Sequence, residues 1–250
     1  MNARLLNRSF GMFMTAPDFR ASAGPRTRVL LGGLLLALSL GACGGSPPPP
    51  VGPPLDAALL GRQAQARSAI SNPVRMVFSW SIQEPGVRLS GRGVARVEGP
   101  FRARLDLFAS NGERMAVAAL VDDDLRVPPG MADFIPPPNL LWAALGVFRP
   151  GPDAAAVGAI ELDSDRTLLR YRTVEGGEIE FLLVNQRVER MDRTAANGVR
   201  EEVRLVREVG ERFPREALYR NLRSTRELRL TLETVEDVEA FPSDIWNPGP

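Results

Sequence analysis

Val74-Arg75-Met76-Val77-Phe78-Ser79-Trp80-Ser81-Ile82 decides the fold. Met76, Phe78, Trp80 and Ile82 alternate with Arg75, Val77, Ser79 and Ser81, the two-residue period of a strand with one apolar and one solvated face. Glu84-Pro85-Gly86 turns the chain, and Val87 to Val97 repeats the alternation. After Gly99-Pro100, Phe101, Ala103, Leu105 and Leu107 oppose Arg102, Arg104 and Asp106. Asn111-Gly112 is a two-residue hairpin signal, and Met115 to Val121 reads as the next strand. Successive strands joined by short turns form an antiparallel meander with one greasy face.

The pattern breaks after Asp122-Asp123-Asp124. Val127-Pro128-Pro129-Gly130 and Ile135-Pro136-Pro137-Pro138 are excluded from a sheet, because proline lacks the donor that the ladder needs. Asn139 to Phe148 follows as a short helix with Asn139 as N-cap, apolar nearly all round. Such a helix must be covered on more than one side or must itself cover something apolar. Strands then resume at Val157–Leu162, Thr167–Val174, Glu178–Val184 and Val199–Val209, with Asp192–Gly198 read as loop. Pro214–Leu222 fits either a short helix or a strand, Leu228–Glu233 is a strand, and Phe241 to Trp246 is an extended finish with two aromatic anchors. The class is α+β, mainly antiparallel: an open sheet of about nine to eleven strands whose apolar face needs a helical cover.

Upstream, Leu55 to Ile70 reads as a helix carrying Leu55, Ala58, Leu59 and Ala66 at helical spacing, and it ends at Ser71-Asn72-Pro73. Before it, Pro47–Pro50, Pro53 and Pro54 form a polyproline spacer. Earlier still, Arg20, Arg26 and Arg28 precede the apolar run Val29–Leu40, the order of an export signal. A hydrocarbon core needs about 20 apolar residues, more than this run supplies, so a permanent span is not expected. Met12 and Met14 each offer a start that leaves a more ordinary basic region. Leu40-Gly41-Ala42-Cys43 resembles the lipobox of bacterial lipoproteins. That resemblance implies cleavage before Cys43, thioether lipidation of its sulfur and acylation of the new amino terminus. Several acyl chains would anchor the mature protein stably to a bilayer. Gly44, and not aspartate, follows the cysteine, which by resemblance to known sorting systems favours the periplasmic face of the outer membrane.

Composition excludes much chemistry. The chain has 31 basic and 30 acidic residues and no histidine, and every basic residue is arginine. Residues 1–42 hold five arginines and one aspartate, which leaves the remainder net negative and without the basic face of a nucleic-acid binder. The single cysteine is assigned to lipid, so nucleophile–imidazole pairs and His/Cys metal sites are unavailable. No catalytic residue and no cofactor is assigned. Asp122-Asp123-Asp124 reads as a solvated turn in preference to a cation site. Glu201-Glu202 and Glu236-Asp237 read as a charged outer face in preference to a glycosidase pair. Gly91 and Gly93 precede no helix and make no phosphate loop; they fit sheet curvature or the close approach of a covering helix.

The order of elements, and Asn139 to Pro150 (N-L-L-W-A-A-L-G-V-F-R-P) in particular, resembles the LolA/LolB superfamily of lipoprotein carriers. The lipobox places the chain nearer the membrane-anchored LolB branch. The resemblance implies an incomplete antiparallel barrel over residues 55–250, after a leader (1–42) and a lipidated linker (43–54). It further implies a concave apolar face that holds acyl chains, lipid or acylated lipoprotein as cargo, a periplasmic carrier protein as partner, and a monomer. The residues expected to line such a cavity are Phe78, Trp80, Leu105, Leu107, Leu141, Trp142, Leu145 and Phe148. The same pattern fits a filled core, which would leave an envelope scaffold or sensor acting through protein–protein contacts.

Overall fold

The computed structural model describes residues 55–129 and 135–248. The expected leader, Cys43 and the proline spacer lie outside the described residues. One antiparallel sheet of twelve strands dominates, in the order β5-β4-β3-β2-β1-β12-β11-β10-β9-β8-β7-β6. The first meander is β1 (Val74–Glu84), β2 (Val87–Glu98), β3 (Arg102–Ala109), β4 (Arg114–Val121) and β5 (Asp124–Arg126). The second is β6 (Ala154–Glu161), β7 (Arg166–Thr173), β8 (Glu178–Val184), β9 (Arg187–Thr194), β10 (Arg200–Val206), β11 (Glu216–Asn221) and β12 (Arg226–Asp237). The last strand returns to pair with the first, Val74 opposite Asp237 and Gln83 opposite Glu227. The two edges, β5 and β6, are therefore consecutive in the chain. Prolines 128, 129 and 136–138 keep the connection between them out of the ladder, and it carries the helix α2 (Pro138–Ala144).

The sheet has more strands than the sequence indicates, for identifiable reasons. The strand β5 is only three residues long. In β9 the pairing with β8 shifts between Leu182 and Leu183, so the inward residues Val188 and Met191 fall three apart. That bulge erases the two-residue period, and Asp192 to Thr194, read as loop, belong to a strand. The ambiguous 214–222 segment supplies β11. The β3–β4 loop holds Ser110-Asn111-Gly112, with Gly112 at φ 85° and Ala109 donating to the Glu113 carbonyl at 2.8 Å. It is a three-residue hairpin ending in a left-handed glycine, one residue longer than Asn-Gly suggests.

The helix α1 (Ala57–Ser68) starts at Asp56, whose carboxylate accepts from Leu59 N at 2.9 Å. It buries Gly61 and Ala64, while Ala58, Leu59 and Ala66 face outward, which corrects the expected face. Small residues win because α1 lies close against the sheet: a Cβ on Gly61 would stand 2.3 Å from the Tyr171 hydroxyl. The helix α2 also departs from expectation. Pro137 is its N-cap and makes no side-chain cap bond, and Asn139 lies inside the helix, accepting from Leu140 N at 3.0 Å. Pro138 fits the first helical position with its fixed φ and missing N–H, and the Pro137 carbonyl and the Asn139 side chain take up the next free donors. The tail closes in a 3₁₀ turn, Ser243–Trp246, in place of an extended finish. Trp246 is buried there, edge-on to Phe241 at 5.9 Å.

The core forms two clusters that share α2. Leu140 and Ala143 join β6–β11, α1 and Phe148. Leu141, Trp142 and Leu145 join β1–β4 and Phe213. A helix without a polar face is thus wedged between two halves of one sheet and covered on both sides.

Candidate functional site

On the concave face of β1–β4 the packing leaves a hollow of about 270 Å³. Its floor is Trp80 and Ile82 from β1, Leu105 and Leu107 from β3, Ala116 and Ala118 from β4, and Leu228 and Leu230 from β12. Leu141 of α2, with Ile135 and Pro136 just before that helix, forms the roof. Leu89 and Met115 stand at the rim, 44% and 41% exposed. Among the described residues, every lining side chain is apolar. A neighbouring space of about 30 Å³ lies between Met76, Phe78, Leu105, Ala144, Leu145, Phe213 and Leu230. Leu105 and Leu230 border both spaces, so one layer of side chains divides them.

Local sequence explains the floor. Trp80 pairs with Gly91 and Phe78 with Gly93 across β1 and β2. A Cβ on Gly93 would stand 2.4 Å from the Phe78 ring, and one on Gly91 would stand 1.9 Å from the Phe108 carbonyl. The glycines thus admit an aromatic ring from the adjacent strand and a close β3 backbone; of the two expected roles, sheet curvature and the approach of a covering helix, the second is not what they serve. The Trp80 indole N–H donates to the Arg92 and Phe108 carbonyls at 3.0 and 3.1 Å, which fixes the ring at the end of the hollow.

Of the eight residues expected to line a cavity, Trp80, Leu105, Leu107 and Leu141 meet in the hollow. Phe78 and Leu145 face the smaller space. Trp142 and Phe148 line neither. Trp142 is fully buried, its indole donating to the Asp122 carbonyl at 2.9 Å, with Phe101 edge-on at 5.9 Å. Phe148 packs against Phe181 at 4.5 Å and Tyr171 at 6.1 Å in the other half. The Asp122-Asp123 turn clamps this region further: Arg149 forks onto the Asp123 carboxylate at 2.9 and 2.5 Å and lies over the Phe101 ring. Ile82, Leu228 and Leu230 share the strand parity of the expected lining and were legible on that ground. Leu89, Met115, Ala116 and Ala118 carry no signal that separates lining from filling.

Most charge lies on the opposite face. Arg170 pairs with Glu180, Arg190 with Asp192, Arg204 with Glu202, and Arg220 with Glu227 across the second meander. Asp106, buried on β3, receives Arg96 at 2.7 Å and Arg104 at 2.9 Å. Burial alone would raise this carboxyl; the hydrogen bonds and charges of Arg104 and Arg96 outweigh it and hold it below its ordinary value. Glu201 shares strand parity with buried Val203 and Leu205, which corrects the outer face expected of it; there it accepts from the Tyr219 hydroxyl at 2.8 Å and from Arg193 at 2.6 Å. The carboxylates of Asp106, Glu201 and Glu202 are each bonded to an arginine, and among the described residues no His, Cys, Asp and Glu side chains cluster in a way that could hold a metal ion.

No protein-family model matches the chain, and no curated protein matches it. Solved structures do. A LolA superfamily protein from Nitrosomonas europaea superposes with a TM-score of 0.53 at 11% identity, over 77% of this chain and 98% of that one. A domain named for outer membrane lipoprotein sorting, from Vibrio parahaemolyticus, gives 0.48 at 7% identity over 77% and 97%. A DUF1329 family protein from Desulfovibrio piger gives 0.49 at 9% over 77% and 96%. At such identity the first likeness is one of fold: this open sheet is the fold of a LolA superfamily protein.

Proposed function

We propose that this chain is a non-enzymatic binder of acyl chains, tethered through lipid on Cys43 to the periplasmic face of the outer membrane. The hollow over β1–β4, apolar throughout its described lining, carries the reading. An apolar cavity of roughly 150 Å³ is enough to take up benzene, and this one is larger and open at a rim of exposed Leu89 and Met115. Roughly eight methylenes buried at about 0.8 kcal/mol each give about 6 kcal/mol. Ordering costs of association offset much of that, so a single tail is held reversibly, as a carrier of lipid or acylated lipoprotein requires. Turning Leu105 and Leu230 aside would join the two spaces and lengthen the groove under α2, admitting a longer tail.

The test is uptake of a fluorescent fatty acid, with native mass spectrometry of the purified protein. Saturable uptake is expected, and Ala118→Phe, which fills the hollow, should abolish it while leaving the protein folded. No bound lipid together with no uptake, or unchanged uptake in Ala118→Phe, would sink the reading. The filled interior on the β6–β11 side favours a second reading, an envelope scaffold acting by protein–protein contact. Capture of one defined envelope partner, equally by wild type and Ala118→Phe, would identify it.

A further inference from the structure

Where the sheet ends near α1, the arrangement of charge changes. Arg187 opens β9, Arg207 follows β10, Arg212 lies in the next loop, and Arg67 occupies the last turn of α1. Arg187 Nη1 donates to the Glu211 carbonyl at 2.5 Å and to the Arg212 carbonyl at 3.5 Å. Arg207 Nη1 donates to the same Arg212 carbonyl at 2.6 Å, and its Nη2 reaches the Val188 carbonyl at 3.4 Å. Arg212 Nη2 meets the Ser71 hydroxyl at 3.4 Å. Two guanidiniums therefore converge on one carbonyl oxygen, and a third is tied beside them. Arginines on the outer face of the sheet sit on carboxylates. Among the described residues, none of these four makes an ion pair.

Backbone carbonyls and helix C-termini supply partial negative charge only. Arg67 ends α1, and Arg207 lies just past the end of α2, where a Cβ on Gly146 would stand 3.0 Å from its Nη2. The Glu211 carboxylate acts on Arg207 from beyond ion-pair distance. Burial, then the charges of Arg67 and Arg212, press Arg187 below the ordinary guanidinium range; burial and Arg187 do the same to Arg207. Arginine does not release its proton in proteins, so the positive charge stays. Each guanidinium has five donors, and the bonds above occupy few of them.

We propose that Arg67, Arg187, Arg207 and Arg212 form a binding site for a phosphate-class anion. Guanidinium forks match phosphate oxygens in charge and geometry, and the carbonyl contacts hold two of the forks in place before the ligand arrives. The anion is either a soluble phosphate or the phosphate of a lipid headgroup. This site goes beyond acyl-chain binding and does not depend on it.

The experiment uses the full chain carrying Cys43→Ser, so that no attached lipid competes. Inorganic phosphate is titrated at constant ionic strength against chloride, and the arginine side-chain NMR signals are followed. Saturable shifts at Arg187, Arg207 and Arg212 are expected. Arg67→Glu with Arg212→Glu, both exposed positions, should weaken binding by about tenfold or more. Should that pair unsettle the fold, Arg187→Lys with Arg207→Lys keeps the charge, removes the forks and should weaken binding similarly. Dihexanoyl phosphatidylglycerol below its micelle concentration is the second probe. Response to it supports a headgroup ligand, and response to inorganic phosphate alone supports a soluble one. If neither probe moves these signals more than chloride does, or if the variants bind as tightly as wild type, the site does not exist. Fatty-acid uptake in the hollow should be unchanged in the Glu variant, so the two ideas fail separately.

Discussion

The sheet meets α2 on two sides, and it does so differently. Toward β6–β11, Leu140 and Ala143 close onto Phe148, Tyr171 and Phe181, three rings in mutual contact. Toward β1–β4, Leu141 roofs a space that Trp80, Leu105 and Leu107 border without filling. Both halves arise from the same alternation of apolar and charged residues. The difference is one of side-chain volume: the second half sets aromatics beneath the helix, whereas the first sets Ala116 and Ala118 opposite leucines. Alternation decides which face is apolar, and the volumes placed on it decide whether that face is filled.

The largest expected effect tests this contrast directly. Phe181→Ala empties a fully buried site in the filled half and should cost about 3–5 kcal/mol. Leu107→Ala, at the half-buried edge of the hollow, removes fewer contacts and should cost about 1 kcal/mol. Urea unfolding of both variants checks the ranking. Equal losses would mean that the hollow is closed in solution. Next come the glycines beneath Trp80 and Phe78. Gly91→Ala drives a methyl against the Phe108 backbone carbonyl, which has no flexible end to yield, and should cost about 3 kcal/mol. Gly93→Ala meets only the Phe78 ring and Leu107, which have the small space and the hollow beside them, and should cost about 1 kcal/mol.

A pH effect separates the halves again. The chain's two tyrosines, Tyr171 and Tyr219, both lie in the filled half. Burial raises Tyr171 above its ordinary value; burial, then the hydrogen bond and charge of Glu201, raises Tyr219. A raised folded value means that the stabilisation is complete below the unfolded tyrosine value of about 10 and is lost as pH climbs through the folded one. Stability should therefore fall on the alkaline side, with tyrosine ionisation delayed until unfolding in an ultraviolet titration. Tyr219→Phe should flatten that alkaline limb and, at neutral pH, cost about 1 kcal/mol for the lost bond to Glu201.

The meanders and the proline break were legible because turns and alternation are local properties. So was the need of α2 either for cover on more than one side or for an apolar surface to cover, since its sequence has no polar face. The bulge that hides β9 was not, because a one-residue shift between Leu182 and Leu183 leaves no mark in composition. The buried face of α1 was misread for a different reason: the close approach of Tyr171 selects Gly61 and Ala64, whereas hydrophobicity points to Leu59. Strand parity places Trp80, Leu105 and Leu107 on the concave face. It says nothing about Trp142, whose direction follows from a bond to the Asp122 carbonyl, or about Phe148, which belongs to the rings of the other half.

The smallest effect is expected at the seam where the halves join. Arg75 on β1 meets Glu236 on β12 at 2.6 Å, with the two side chains 47% and 50% exposed. Their Coulomb attraction is weakened by water, and holding two long side chains in one geometry opposes it. The β1–β12 register is fixed instead by a ladder from Val74 opposite Asp237 to Gln83 opposite Glu227, with Phe78 paired to Leu232 and Trp80 to Leu230 over the core. Arg75→Ala should therefore shift stability by no more than about 0.5 kcal/mol, and less as salt is added. A loss well above 1 kcal/mol in urea unfolding would mean that surface charge, and not the shared apolar floor, holds the hollow half to the filled one.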